Sequence, residues 1–449
     1  MARDALHATR TLLSHPFHAF PVAESKTIND TVHGTIHLDP MVIDLMETLE
    51  IQRLSGIRQL GLTYLVFPGA NHSRIEHCLG VSHVAGKLAE AIGLSDQDRR
   101  LVMAAGLLHD VGHGPFSHTL EHILSSKLAI DHMHLTQAII MGDDDNVRRE
   151  DRKAFPDVPR VPAVLEKHGV PPPKVAALIR GPPGAEGLRT TSRDRKGRAL
   201  GQIIHSAIDA DQIDYLMRDA HYTGAAHGMI DFHRIVQTVA LHDGDLAIDR
   251  KGLPALEGML VARALMYSSV YFHKTVRIAE QMIARAVERS GSDVRGVQKM
   301  VDAELLQWLG GAGELQRDVA LRIKYRKLYK RIWDRGREDL TEEQRKTLLS
   351  LADPPKRRRA EDAICKRAGV PPGRTIVDIP LPELLISEPR IAMTDVKVLD
   401  GDKVRQFRRV SPLGRALQVR DVSDWVVMIA ADPRYRADVA RAAERVLFA

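Results

Sequence analysis

His77, the adjacent pair His109-Asp110, and Asp211 lie in three separate stretches of the chain. Each stretch has helical periodicity of apolar residues, so a fold that uses all four side chains must pack three helices around one point. Two imidazoles and two carboxylates make a mixed nitrogen and oxygen ligand set for one divalent cation. An ion held that way can activate water and draw a phosphate oxygen toward it. Each member also has an ordinary reading. His77 shares a face with Val81, Val84 and Leu88 and could be a core histidine. His109-Asp110 could simply end a helix, although Gly112 and Gly114 follow it and let backbone approach a ligand closely. Asp211 continues the apolar face of Ile204 and Ile208, where a carboxylate is costly to bury without a partner. Tyr215 and Asp219 extend that face, which suits a pocket wall. Asp209 and Asp214 fall on other faces and are expected to be solvated or paired locally.

At 449 residues the chain exceeds one ordinary core, so two or three lobes are expected. A formal charge of +6 leans toward anionic ligands such as nucleotides or nucleic acid. The two cysteines, Cys78 and Cys365, cannot form a disulfide framework. That fits a reducing compartment, with Cys78 a free buried thiol. No apolar signal region opens the sequence, and the apolar run at 101–108 is too short to span a bilayer. A soluble, cytoplasmic protein with no membrane partner is expected.

Alternation around Gly34 predicts a hairpin over 32–38. Helices are expected over 73–92, from the Ser95 cap with Asp98 as capping-box acid to about Asp110, and over 117–141. Residues 142–198 are rich in Pro and charge and read as an insertion with short helices. Helical pattern returns over 200–219 and 253–290 and continues through 322–337 and 341–351. Strands are expected at 376–379, 391–399 and 425–429, and a closing helix at 434–448. The expected fold is mainly α. A helical catalytic core spans 28–300, a basic helical extension 301–370, and a small α+β C-terminal lobe 371–449.

Two further clusters bear chemistry. His113, His118, Glu121, His132 and His134 crowd the region after the His-Asp pair. A histidine near a bound phosphate can act as general acid, with a carboxylate to orient it. Arg263, Tyr267, Tyr271 and Lys274 recur about one turn apart, with His273 beside the last pair. They could clamp phosphates and a sugar, or form the solvated basic edge of an amphipathic helix.

Four motifs together resemble the HD-domain phosphohydrolases, and among them the deoxynucleoside triphosphate triphosphohydrolases. They are FPGANHSRIEH over 67–77, LLHDVGHGPFSH over 107–118, DADQIDYLMRD over 209–219 and YFHK over 271–274. The likeness spans about residues 28–285 and implies an HD-type helical core. It implies that His77, His109, Asp110 and Asp211 are the metal ligands. His118 would protonate the leaving oxygen with Glu121 as its carboxylate partner, and His113 and His132 would line the phosphates. Arg74 and Arg263 would hold phosphate oxygens, with Lys274 nearby. Gln59 and Asp219 would contact the sugar 3'-hydroxyl. Leu60, Tyr215 and Tyr271 would pack on the sugar, and Tyr271 would exclude a 2'-hydroxyl. The implied reaction is attack of metal-activated water at the α-phosphorus of a dNTP, releasing deoxynucleoside and triphosphate. A homo-oligomer is implied as well.

The chain departs from that pattern in places. Gln212 stands where a phosphate-binding lysine is expected, so one cation is missing from the phosphate grip. Glu47 and Gln52 resemble a nucleotide-activation set, but Ser55 stands in place of an arginine. The ligand set accepts Mn, Fe, Zn, Ni, Co or, less well, Mg. Gln212 keeps open an HD nucleotidase, phosphodiesterase or exonuclease. The basic residues of 324–337 and 356–359 keep open a nucleic-acid-binding protein without catalysis.

Overall fold

The computed structural model describes residues 26–116, 119, 120, 123, 131–180, 195–291, 295–336, 338–379, 396–419 and 426–448. The chain is mainly helical, with small sheets. The first described elements form an antiparallel hairpin, β1 (Thr27–Asp30) and β2 (Gly34–His37). The hairpin expected over 32–38 is thus present, but it begins earlier, with its turn at 31–33 and Gly34 opening β2. Helix α1 (Arg74–Ala91) follows. It begins where the Glu76 carboxylate accepts from the Ser73 N–H at 2.6 Å and the Ser73 hydroxyl at 2.7 Å. Helix α2 (Asp96–Leu108) starts with the Asp98 N–H donating to Ser95 Oγ at 3.3 Å. Helix α3 (His132–Met141) is capped by Asp131, which accepts the His134 N–H at 2.7 Å. It covers the end of the helix expected over 117–141. Within 142–198 the structure has the short helices Arg149–Ala154, Val161–Lys167 and Pro172–Arg180.

The helix expected over 200–219 is broken. Arg195–Ile204 ends, and a new helix, α4 (Ala210–Thr223), begins. Asp209 is the cause: its carboxylate accepts the N–H groups of Ser206 at 3.0 Å and Gln212 at 2.8 Å, offering the backbone a turn in place of a continued helix. Asp211 therefore does not continue the Ile204 and Ile208 face. The stretch 253–290 is interrupted too, into α5 (Leu253–Met266), a wider π turn at Tyr267–Tyr271, and α6 (Lys274–Glu288). Such turns shift every following side chain around the axis.

A third correction concerns the basic stretch 322–337. The helix Glu314–Lys324 stops, Arg326 adopts a left-handed φ of 52°, and Lys330–Arg335 forms a strand. With β3 (Val239–His242) and β4 (Asp245–Asp249) placed earlier in the chain, this strand is β5. β6 (Thr375–Asp378), β7 (Lys397–Asp400), β8 (Lys403–Gln406) and β9 (Val427–Ala431) follow. Every residue of β9 is buried, so its backbone groups need a partner on each side, and β5 and β6 supply them in the order β5-β9-β6. The other sheet runs β3-β4-β7-β8. The closing helix is Arg436–Leu447.

The largest apolar core gathers the hairpin side of α1 with α2, α4 and α5. Val396, Val398, Phe407 and Leu417 return from the C-terminal part of the chain to join it. A second core lies under α6 and the helix Glu314–Lys324, and a third between the β5-β9-β6 sheet and the helices Pro354–Ala368 and Arg436–Leu447. Among the described residues no helix is long and apolar enough to cross a membrane. Both cysteines are free and buried.

Candidate metal centre

The helices α1, α2 and α4 meet at the predicted point. His77 lies one turn into α1, His109 and Asp110 follow the last turn of α2, and Asp211 lies in the first turn of α4. Donor atoms of His77, His109 and Asp110 lie within 4.8 Å of one another. An Asp211 oxygen stands 3.0 Å from His77 Nε2 and 3.6 Å from His109 Nε2. His109 Nε2 is 3.3 Å from Asp110 Oδ1, yet it is buried and makes no hydrogen bond.

The other ring nitrogens decide the tautomers. His109 Nδ1 lies 2.7 Å from the Gly106 carbonyl oxygen, and His77 Nδ1 lies 2.8 Å from Asp214 Oδ2. Both partners only accept, so each Nδ1 carries a proton and each Nε2 faces the cluster, where it offers a lone pair once a cation displaces its proton. Burial disfavours a charged His77, but hydrogen bonds to Asp211 and Asp214 outweigh it and raise its pKa to about 10. Burial also opposes charge on Asp110, but His109 and then Arg74 hold its carboxyl well below the usual range. The cage favours positive charge, which protons supply or a divalent cation replaces. An orphaned buried imidazole nitrogen and a nitrogen and oxygen donor set fit such an ion.

Backbone geometry after α2 serves the same point. A methyl group at Gly112 would collide with the His132 carbonyl and with Thr136. Glycine there lets α3 close on the His109-Asp110 turn, and Gly112 N donates to Thr136 Oγ1 at 3.0 Å. His113 consequently stacks on His132, with ring centroids 4.2 Å apart, and its Nε2 is 3.4 Å from Asp110. Burial and the Arg74 charge hold the His113 pKa well below the usual imidazole value. His118 and Glu121 lie outside the described residues.

Buried Arg74 pairs with Asp110. Arg263, also buried, donates to the neutral amide oxygen of Gln212 and lies 6.0 Å over the Tyr267 ring, and its Nε has no acceptor. Gln212 is itself fixed, its amide nitrogen donating to Ser206 O at 2.7 Å and Asp209 Oδ2 at 2.9 Å. Further along α4, both Asp219 oxygens are engaged: His72 Nε2 donates at 2.9 Å and the Tyr271 hydroxyl at 2.7 Å. Tyr271 also meets Tyr215 and Tyr267 edge-on at 6.0 and 5.0 Å. Gln59 donates its backbone N–H to His72 O at 3.0 Å, and its side-chain oxygen is buried without a hydrogen-bond partner. Leu60 packs against the main core. Lys274, the first residue of α6, pairs with Asp334 and is half exposed.

Asp209 and Asp214, expected to be solvated or paired locally, both pair locally, with Gln212 and with Arg218, but both are buried rather than solvated. Asp209 caps α4, and burial together with the Asp211 charge raises its pKa to about 7. Asp214 takes hydrogen bonds from His77, from His33 at 2.7 Å, and from Arg218 at 2.9 Å to each oxygen. Asp214, Arg218, His33 and His72 were absent from the sequence-derived site. The available signal was the spacing of Asp211, Asp214 and Arg218 at three- and four-residue intervals on one helix.

The chain matches the HD domain family over residues 74–219 and the family described as HD associated region over 230–448. An uncharacterized protein of Methanocaldococcus jannaschii is 32% identical over 418 residues, covering 90% of this chain and 78% of that protein. The deoxynucleoside triphosphate triphosphohydrolase SAMHD1 of Homo sapiens is 30% identical over 356 residues, 68% of this chain and 54% of that protein. The chain therefore spans about half the length of that relative. A crystal structure of a phosphohydrolase from Bacteroides thetaiotaomicron aligns with a TM-score of 0.67 at 21% identity, over 91% of this chain and 100% of the other. This last likeness speaks to the fold.

Proposed function

The chain belongs to the HD-domain phosphohydrolases, a divalent-metal-binding family, and on that premise we propose that it hydrolyses deoxynucleoside triphosphates to deoxynucleoside and inorganic triphosphate. The observation that carries the phosphate part is Arg263. It is a buried guanidinium that donates to the Gln212 amide oxygen and bonds Tyr267, with its Nε lacking an acceptor. A buried cation with that environment favours an anionic ligand. The sugar part rests on Gln59, Asp219 and Tyr271, which present acceptors and a phenol ring within one hydrogen-bonded group.

In this reading His77, His109, Asp110 and Asp211 hold the ion. When bound, it supplies Lewis acidity that activates water and offsets phosphate charge. Arg74 and Arg263 grip the oxygens around the α-phosphorus and stabilise the charge that grows there. His113, stacked on His132 and kept neutral, lines the phosphates. Gln59 and Asp219 accept the 3'-hydroxyl, while Leu60, Tyr215 and Tyr271 pack on the ring, with Tyr271 occupying the space of a 2'-hydroxyl. As the α-phosphorus gains a water oxygen, its bond to the 5'-oxygen breaks. His118 delivers a proton to that oxygen, with Glu121 as its carboxylate partner. Lys274, paired with Asp334, plays at most a peripheral part. Assembly into a homo-oligomer belongs to the same proposal and is checked by light scattering.

A second reading, an HD nucleotidase, phosphodiesterase or exonuclease, is favoured by the neutral Gln212 beside Arg263. One experiment separates the two. The chain is incubated with each dNTP, NTP, dNMP and a short DNA strand under Mn²⁺, Co²⁺, Ni²⁺, Zn²⁺, Fe²⁺ and Mg²⁺, and products are identified by chromatography. Intact triphosphate released from dNTPs supports the first reading. Release of orthophosphate from dNMP, or of mononucleotides from DNA, replaces it with the second. A mobility shift with steep salt dependence, in the absence of any hydrolysis, would instead point to nucleic-acid binding through the basic C-terminal region.

A further inference from the structure

Behind His77, on the side away from the cluster, stands a carboxylate with every acceptor position in use. Asp214 accepts two bonds from the Arg218 guanidinium at 2.9 Å each, one from His77 at 2.8 Å and one from His33 at 2.7 Å. The side chains of His33, His77, Asp214 and Arg218 are all at most 1% exposed. Arg218 also donates to Asp30 at 2.8 Å, which ties the group to β1. His33 lies in the turn between β1 and β2, so the hairpin reaches the back of a candidate ligand through one intermediary.

Arg218 is shared between Asp214 and Asp30, so the two imidazoles complete both the charge balance and the hydrogen bonding of the buried carboxylate. Their geometry also has a consequence for the cluster. A carboxylate can only accept, so it holds a proton of His77 on Nδ1 and leaves Nε2 facing the cluster. Four bonds from three directions fix the carboxylate, which in turn fixes the plane of the His77 ring. The chain also leaves room for it. Gly80 is one turn along α1 from His77, and a methyl group there would overlap the Asp214 carboxylate and the Arg218 guanidinium.

We propose that Asp214 is a positioning residue of the metal centre and that the N-terminal hairpin takes part through His33, the two together delivering His77 Nε2 as a ligand. The inference rests on the reading of His77, His109 and Asp110 as a metal site. Partners of this kind behind a ligating histidine change metal affinity by about 10- to 100-fold when removed.

The test uses the full chain stripped of metal and titrated with Mn²⁺, free ion being read by electron paramagnetic resonance. The visible spectrum of the Co²⁺-loaded protein reports ligand geometry. Asp214→Asn and Gly80→Ala should each weaken Mn²⁺ binding about 10- to 100-fold and alter the cobalt spectrum. His33→Ala should weaken it severalfold. His33→Gln, whose amide N–H can still donate to Asp214, should restore it. This last pair leaves Asp214 and Arg218 together, so it reads the brace even where Asp214→Asn does not fold. A merely structural role would lower the melting temperature of the metal-free protein without moving the affinity of the folded fraction. Affinities within twofold of the parent in the folded variants, or equal weakness of His33→Gln and His33→Ala, overturn the brace while the metal site stands. Unchanged Mn²⁺ binding in His109→Ala overturns the metal site itself, and the brace with it.

Discussion

Two charged regions of the molecule differ in how their groups are held. The cluster around His77 is buried except for partly exposed Asp211, and its carboxylates and rings hold one another at defined atoms. The other region is an open cavity of about 650 Å³ between α6 and the β5-β9-β6 sheet. It is lined by His273, Lys274, Arg277, Arg326, Lys330 and Arg331 among others. Lys274 and Arg331 share Asp334 and stand about half in solvent, while Arg277 pairs with Asp378. Exposed pairs of that kind contribute about 0–1 kcal/mol, whereas removing one partner of a buried pair costs about 3–5 kcal/mol. The comparison teaches that the density of positive charge does not locate the chemistry. The basic cavity has more cations, but the buried cluster has fixed lone pairs and an imidazole nitrogen left without a partner.

The largest effect should come from the cluster. His109→Ala should lower metal-dependent hydrolysis by about 1000-fold or more, and chelation of the parent should do the same until metal is returned. Initial rates with and without added Mn²⁺ check this, and residual activity near the parent level would dissolve the contrast between the two regions. Arg263→Ala comes next. Losing charge-assisted bonds to phosphate should reduce kcat/KM by about 10- to 100-fold, while circular dichroism stays unchanged. Lys274→Ala probes the other side, and kcat/KM should change by less than about fivefold, as for a surface pair. A larger drop would place the open cavity within the reaction after all.

The smallest effect concerns pH. His83 packs against His33 with ring centroids 5.2 Å apart. Burial, and then the charge of His33, lower its pKa from 6.5 to about 4. Between those values the unfolded chain binds the proton and the folded chain does not, so stability falls as pH drops through that window. Melting temperatures at pH 7 and 5 should show a loss in the parent and a smaller loss in His83→Gln. Equal losses would remove His83 as the cause.

Much of the fold could be read from residue order. Alternation around Gly34 marked the hairpin, Ser95 and Asp98 marked the start of α2, and Gly112 with Pro115 marked its stop. These are local signals, in which a side chain answers to backbone a few residues away. The strand at Lys330–Arg335 was not legible, because six mostly polar residues form a strand only when fully buried β9 requires a neighbour. The wide turn at Tyr267–Tyr271 was not legible either, because a periodic pattern cannot register it.

The same division runs through the centre. The residue types and spacing of His77, His109, Asp110 and Asp211 already limited the chemistry to a divalent ion among nitrogen and oxygen donors, since donor type is a property of each side chain. Whether Asp214 is solvated or sealed was decided only when α1, α4 and the hairpin came together. A helix face has no fixed environment until another element covers it, and here the hairpin brought His33, and α1 brought His77, to an Asp214–Arg218 pair that the pattern alone left solvated or locally paired.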